Sequence, residues 1–250
     1  MPKFLIYGAF IALFLGFIAF AYAYQAQRFT DTEVGFEEIT QTEINGLPLE
    51  FQNWERPEGP LRVGVQVGHW QLENVPEELS GLRRTAGTQG GGKKEWEVAL
   101  AIAQELQALL ESKGVVVDLL PATIPPRYFA DVFVSIHADG STDTRVSGFK
   151  AAAPWRDYTG KSQELVSIFN EEYAKTTGMK QDSNISRRMR GYYAFNWRRY
   201  EHSIHPMTVA MIVETGFLTN PQDQRILINT PERPAQGIAN TIFKFLDINN

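Results

Sequence analysis

Four residues of chemically capable type stand at the ends of apolar runs. His69 closes Leu61-Arg-Val-Gly-Val-Gln-Val-Gly-His69, and His137 closes Asp131-Val-Phe-Val-Ser-Ile-His137. Glu214 closes Val209-Ala-Met-Ile-Val-Glu214, just ahead of Thr215-Gly216-Phe217. Glu95 lies between the two histidines, where a glycine-rich loop meets a helical pattern. In an open parallel sheet, ligands gather beyond the carboxyl ends of the strands. Two imidazoles and a carboxylate gathered there suit one zinc ion, with an open position left for water. A further carboxylate is what a zinc hydrolase needs to move protons.

The elements that must position these residues follow from periodicity. Leu61 to Val67 and Asp131 to Ile136 are short β-branched runs of the buried-strand type, and Val115 to Leu120 and Thr208 to Val213 read the same way. Gly68 is expected to allow a sharp exit before His69. Gly148-Phe-Lys150-Ala-Ala-Ala153 suggests one more strand. Val98, Ile102, Leu106 and Leu109 recur at helical spacing after Glu95, which shares their inward stripe. A carboxylate on a buried stripe needs a partner. Glu97 and Glu105 fall off the stripe and are expected in solvent. Ser162 to Tyr173, stopping near Gly178, and Ala235 to Phe245 are two further helices. Gln71 to Arg84 reads as loop with a helical turn. Strands alternate with helices, so the expected fold is α/β: a single twisted, mostly parallel sheet with helices on both faces.

Ahead of that domain the chain changes character. Phe4 to Tyr24 is uncharged and dominated by Phe, Leu, Ile and Ala, long enough at ~1.5 Å per residue to span a bilayer's hydrocarbon core. Residues 1–28 are therefore expected to form a transmembrane anchor, with cleavage after the small-x-small Ala21-Tyr22-Ala23 as the alternative. Residues 29–60 are polar and acidic with Asn45-Gly46 and Pro57-Glu-Gly-Pro60 turn signals, a stalk with one short strand around Leu47 to Phe51. Residues 61–250 form the catalytic domain. This organisation implies a single-pass protein of the cell membrane with its catalytic domain outside the cytoplasm, or a secreted one if the anchor is cut.

Composition narrows the chemistry. The chain has 250 residues, a formal net charge of −5 and no cysteine. The acidic balance argues against a nucleic-acid partner, and the missing cysteines exclude disulfides, thiolate metal sites and thiol catalysis. Gly87-Thr-Gln-Gly-Gly-Gly-Lys-Lys94 is close to a phosphate-binding loop, but Lys94 replaces the metal-binding hydroxyl and no strand leads into it. It is read as a mobile glycine loop. His202-Ser-Ile-His205 is the competing histidine pair, without an acidic third ligand nearby in sequence. Arg187, Arg188, Arg190, Arg198 and Arg199 interleave with Tyr192, Tyr193, Phe195 and Trp197. Guanidinium forks suit carboxylates and the rings suit sugar faces, and Arg198, Arg199 and His205 are the candidate substrate contacts.

Val67-Gly-His69, Glu95 with Val98-Ala-Leu-Ala-Ile-Ala103, Val134-Ser-Ile-His-Ala-Asp139 with Ser147-Gly-Phe149, and Ile212-Val-Glu-Thr-Gly-Phe-Leu-Thr-Asn220 occur in that order. Together they resemble the zinc-dependent N-acetylmuramoyl-L-alanine amidase family (the type-3 amidase domain), from Leu61 to the C-terminus. Where the family continues its first histidine with Gly-Gly and an Asp-Pro-Gly, this chain reads Trp70-Gln-Leu-Glu-Asn74. The resemblance implies His69, Glu95 and His137 as ligands of one Zn2+, Glu214 as the catalytic carboxylate, and peptidoglycan as substrate. The bond cut would join N-acetylmuramic acid to L-alanine. Two other readings stay open: a non-catalytic wall-binding protein on the same fold, and a zinc carboxypeptidase acting on wall peptides. A regulatory protein partner is left open as well.

Overall fold

A computed structural model describes residues 43–44 and 47–248. The expected anchor, residues 1–28, lies outside the described residues. Among those described, no helix is long and apolar enough to cross a membrane. Two compact units are present, divided between Glu55 and Arg56. In the first, the two-residue strands Glu43–Ile44 and Leu47–Pro48 pair antiparallel and a helical turn follows at Leu49–Gln52. The strand expected over Leu47 to Phe51 is thus cut short after Pro48.

The second unit holds all the candidate site residues. The strands of its central sheet are β1 (Arg62–Val67), β2 (Val116–Leu120), β3 (Val132–Asp139), β4 (Lys150–Ala152) and β5 (Val209–Phe217). Its helices are α1 (Glu95–Glu111), α2 (Ser162–Thr177), α3 (Arg187–Arg190), α4 (Pro221–Leu227) and α5 (Glu232–Phe245). The sheet order is β2-β1-β3-β5-β4. Every pairing is parallel except β4 with β5. This is a mixed α/β fold with a mainly parallel central sheet flanked by helices.

The alternation of side chains along each strand sorts the layers. Val63, Val65 and Val67, Val132, Val134 and Ile136, and Val209, Met211 and Val213 all enter one core with Ile102 and Leu106 of α1, Leu165 and Phe169 of α2, and Ile238 and Ile242 of α5. Each such fully buried aliphatic stabilises the fold by roughly 1.5–3 kcal/mol. All three long helices lie on this face. The opposite face buries Phe133, Ala210 and Ile212 against Val75, Leu79, Met189, Tyr193 and Phe195. Those residues come from α3, from irregular segments and from 3-10 turns, including Glu77–Arg84 and Tyr193–Phe195. The expectation of helices on both faces is therefore refined, because the second face is covered by short turns.

Three local readings change. The last strand runs on through Glu214 to Phe217, because Asp139 of β3 still pairs with Phe217 and the Phe217 N–H donates to the buried Asp223 carboxylate at 2.8 Å. The glycine loop carries a hairpin, Gln89–Gly90 with Lys93–Lys94. Helix α4 was not anticipated, although Asn220-Pro221 is a strong start signal: the Asn220 side chain accepts from the N–H of Gln222 and Asp223, and proline sits in the first turn.

Candidate metal centre

Strand register sets the floor of the site. On the face away from the long helices, His137 of β3 pairs with Glu214 of β5, and Glu214 pairs with Lys150 of β4. Gly68, just past the β1 ladder, donates its N–H to Ile136 O at 2.9 Å. A Cβ at Gly68 would sit 2.6 Å from Nε2 of His137, so the imidazole occupies the space a side chain would need. The role of Gly68 is clearance for that ring. The sharp exit assigned to it is made by His69 itself, whose φ of 59° lies in the left-handed region, a strain typical of functional positions.

Helix α1 delivers Glu95 in its first turn. Lys94 N–H donates to the Glu97 carboxylate at 2.8 Å, which fixes the helix start and gives Glu97 a capping role. Glu95 is clamped by the loop before it: its N–H donates to Thr88 O at 3.0 Å, and Thr88 N–H donates to its Oε2 at 2.8 Å. Gly87, at φ 74°, packs so closely that a Cβ there would lie 2.6 Å from that same Oε2. Oε1 is left facing the histidines, 2.8 Å from His137 Nδ1 and 3.4 Å from His69 Nε2.

These three side chains can each offer one ligand atom within 4.8 Å of the others, the one such group among the described residues. The donor set, two imidazole nitrogens and one carboxylate oxygen, fits zinc. The surrounding bonds fit it too. His69 Nδ1 lies 2.7 Å from Thr85 O; a carbonyl only accepts, so Nδ1 carries the proton and Nε2 presents its lone pair to the cluster. Thr215 Oγ donates to His137 O at 2.8 Å and steadies the strand there.

The electrostatics are those of a small, tightly coupled group. Burial would raise the Glu95 pKa, but the His137 bond and charge outweigh it and hold it below the usual carboxylate range. Burial would lower the His137 pKa, and Glu95 outweighs that as well. His69 is lowered, chiefly by burial. Glu214 is pushed up to about 8 by burial, with Glu95 and Asp139 adding repulsion. Among the described residues, its Oε2 and His137 Nε2 are buried polar atoms without hydrogen-bond partners.

Over the cluster opens a cavity of about 510 Å3 whose lining includes His69, Thr88, Glu95, His137, Asp139 and Glu214. Tyr192 stands beside it, its ring edge-on to His137 at 5.7 Å between centroids and its hydroxyl donating to Gln66 Oε1 at 3.0 Å. Lys150 is buried next to Glu214, yet its ammonium turns to Asp139 at 2.6 Å and Asp182 at 2.8 Å.

The four residues selected from sequence are thus brought together. Arg198, Arg199 and His205 are placed elsewhere and line neither this cavity nor its neighbours. Arg198 lies over the Trp197 ring and Arg199 over Tyr200. His205 packs edge-on to Phe129 four residues before β5 begins, toward the amino end of the strand whose carboxyl half bears Glu214. His202 is taken by Glu78, 2.8 Å from its Nδ1. Sequence reasoning missed Lys150, Asp139, Asp182 and Tyr192 as neighbours of the centre. For Lys150 the signal was a lysine inside an otherwise small, apolar strand.

A family model described as N-acetylmuramoyl-L-alanine amidase matches residues 63–244. The chain is 25% identical over 201 residues to N-acetylmuramoyl-L-alanine amidase AmiA of Salmonella typhimurium, covering 62% of this chain and 69% of that protein. Among solved structures it is similar to the amidase AmiC2 of Nostoc punctiforme, with a TM-score of 0.55, 23% identity, and coverage of 76% of this chain and 99% of that one. It is also similar to the CwlD amidase of Clostridioides difficile, solved in complex with the GerS lipoprotein. There the TM-score is 0.53 at 19% identity, with 76% of this chain and 100% of that one covered. At these identities the structures establish likeness of fold.

Proposed function

The chain belongs to the N-acetylmuramoyl-L-alanine amidase family, and from that membership we propose that it is a zinc-dependent amidase. It would hydrolyse the bond between N-acetylmuramic acid and the L-alanine of peptidoglycan stem peptides. The observation that carries the reading is the convergence of His69, Glu95 and His137 on one point with Glu214 beside them. A zinc ion, when bound, supplies a Lewis acid that polarises the scissile carbonyl and makes a nucleophile available from water near neutral pH.

The chain's own groups do the rest. His69 Nε2, the Glu95 carboxylate and the His137 imidazole would hold the ion, with Thr85 O and Thr88 N–H keeping two of them aligned. Glu214 accepts the proton of the attacking water and returns it to the departing amine at its carboxylate oxygens. Burial raises its proton affinity, and the nearby charge of Lys150 favours its carboxylate form. Opposing influences of this kind bring a carboxyl group toward the pH range where it can both take and give a proton. Phe4 to Tyr24 would anchor the domain in the membrane on its outer side, within reach of the wall.

The test is incubation of the protein with purified peptidoglycan, with zinc or with a chelator, and mass spectrometry of the products. Metal-dependent release of intact stem peptides bearing a free L-alanine amine is the expected result. Metal-dependent loss of terminal residues alone would favour the carboxypeptidase reading. Wall binding without cleavage would favour the binding-protein reading.

A further inference from the structure

A second cavity, of about 350 Å3, has a lining that includes Trp155, Arg156, Arg190, Tyr192, Phe195 and Asn196. Strand β4 leads into it: Lys150 borders Glu214, and five residues on, Trp155 N–H donates to Arg190 O at 3.0 Å. The exit of β4 is thereby tied to the end of α3. The Arg190 guanidinium lies over the Trp155 ring, 5.0 Å from its centroid. Tyr192 is shared ground, lining this cavity while its ring meets His137 of the metal centre.

The protein carries a net charge of −5, yet this cavity gathers two arginines in its lining. No acidic residue lines this cavity, and Arg156 and Arg190 have no carboxylate partner among the described residues. The nearest carboxylates in sequence are committed elsewhere. Asp157 accepts from Thr159 Oγ at 2.6 Å and from Ser162 N–H at 2.7 Å, and Asp182 holds Lys150. Trp155 is 59% exposed, the most exposed of the described large apolar side chains. The site therefore presents a flat apolar plate, two uncompensated guanidinium forks and an amide, one side chain away from the reacting centre. Guanidinium forks match carboxylates in geometry as well as charge, and an aromatic plate takes the aliphatic portion next to the carboxylate.

We infer that the Trp155–Arg156–Arg190 cavity binds a free carboxylate of the stem peptide and so sets which peptides are presented to the metal centre. This rests on the amidase reading above and deepens it. The test uses synthetic muramyl-peptide substrates with free stem carboxylates and the same substrates with those carboxylates amidated. Their KM and kcat are measured with the wild-type protein and with an Arg156→Gln/Arg190→Gln double variant. Wild type is expected to show a lower KM for the free form. The double variant should lose that preference through a rise in KM of about ten- to a hundredfold on the free form, the size of lost charge-assisted bonds, with kcat little changed. An unchanged KM ratio in the double variant overturns the inference. So does a wild type indifferent to amidation, or a Trp155→Ala loss that is equal on both forms, which would point to a sugar face instead. Direct binding of the two released peptides, measured by calorimetry, separates this from failure of the amidase reading. Carboxylate- and arginine-dependent binding without hydrolysis would keep the subsite and discard the activity, and no binding would discard the subsite.

Discussion

Lys150 stands directly opposite Glu214 in the β4–β5 ladder, yet its ammonium bonds Asp139 and Asp182. Glu214 therefore has a cation as its neighbour on one side and His137 on the other, with one carboxylate oxygen left unpartnered. A direct ion pair would hold Glu214 as a spent carboxylate. Committing Lys150 to two aspartates keeps its charge near while leaving Glu214 free to exchange protons.

Replacing Lys150 by methionine should act twice. Removing one partner of a buried ion cluster leaves uncompensated carboxylates, at a cost of about 3 kcal/mol, readable by urea denaturation. Because a nearby cation favours the carboxylate form, its loss should also move the acidic limb of the pH–rate profile upward. A variant of unchanged stability and unchanged profile would refute this account of Lys150.

Glu214→Gln keeps the shape of the side chain and removes its proton chemistry. Zinc content, measured on the dialysed protein, should match wild type while kcat falls by about 10²–10⁴, the usual worth of a general acid–base group. Retained turnover would remove Glu214 from the mechanism. Lost zinc would make it a ligand instead.

Asp182 supplies a stability contribution with a definite pH window. Burial would raise its pKa, but the bonds from Lys150 and the Asn184 N–H outweigh this and the net shift is downward. A group whose pKa is lower folded than unfolded contributes stability above its unfolded value, about 3.9 for aspartate, and that contribution is lost as pH falls through the folded value. The stability gap between wild type and Asp182→Asn should thus be full at pH 6 and shrink below about pH 4. A gap that stays constant between pH 6 and pH 3 would contradict the pairing.

Gly68→Ala places a methyl group where the His137 ring lies. The expected outcome is a drop in zinc affinity of about ten- to a hundredfold, as for other groups that orient ligands. Far-ultraviolet circular dichroism should stay unchanged. Full affinity in the alanine variant would show that the ring has room to move.

How much of this was legible beforehand differs between residues. His69, His137 and Glu214 were visible because apolar runs of strand length delivered each of them, and Glu95 because it shared the inward stripe of Val98 and Ile102. The strand expected over Thr208 to Val213 runs on to Phe217. It stays extended because Asp223, six residues past Phe217, accepts the Phe217 N–H, and Asp139 extends the ladder from the other side. The arginine and aromatic run around residues 187–199 was recognisable as a candidate binding surface. Arg190, Tyr192, Phe195 and Asn196 from its middle line a cavity with Trp155 and Arg156 from another segment, whereas Arg198 and Arg199 stack on Trp197 and Tyr200.

The sequence alone determined what depends on local pattern: the alternation of strand and helix, the inward stripe of α1, and the residue types a zinc centre needs. The tertiary structure decided what depends on which strands become neighbours. The antiparallel pairing of β4 with β5 sets Lys150 across from Glu214, the close approach of β1 and β3 puts Gly68 under the His137 ring, and Asp182 reaches Lys150 from 32 residues away. Periodicity within one strand fixes which face a side chain takes, but not which partner lies beside it. Here that partner supplies the charge next to the proton-transfer group.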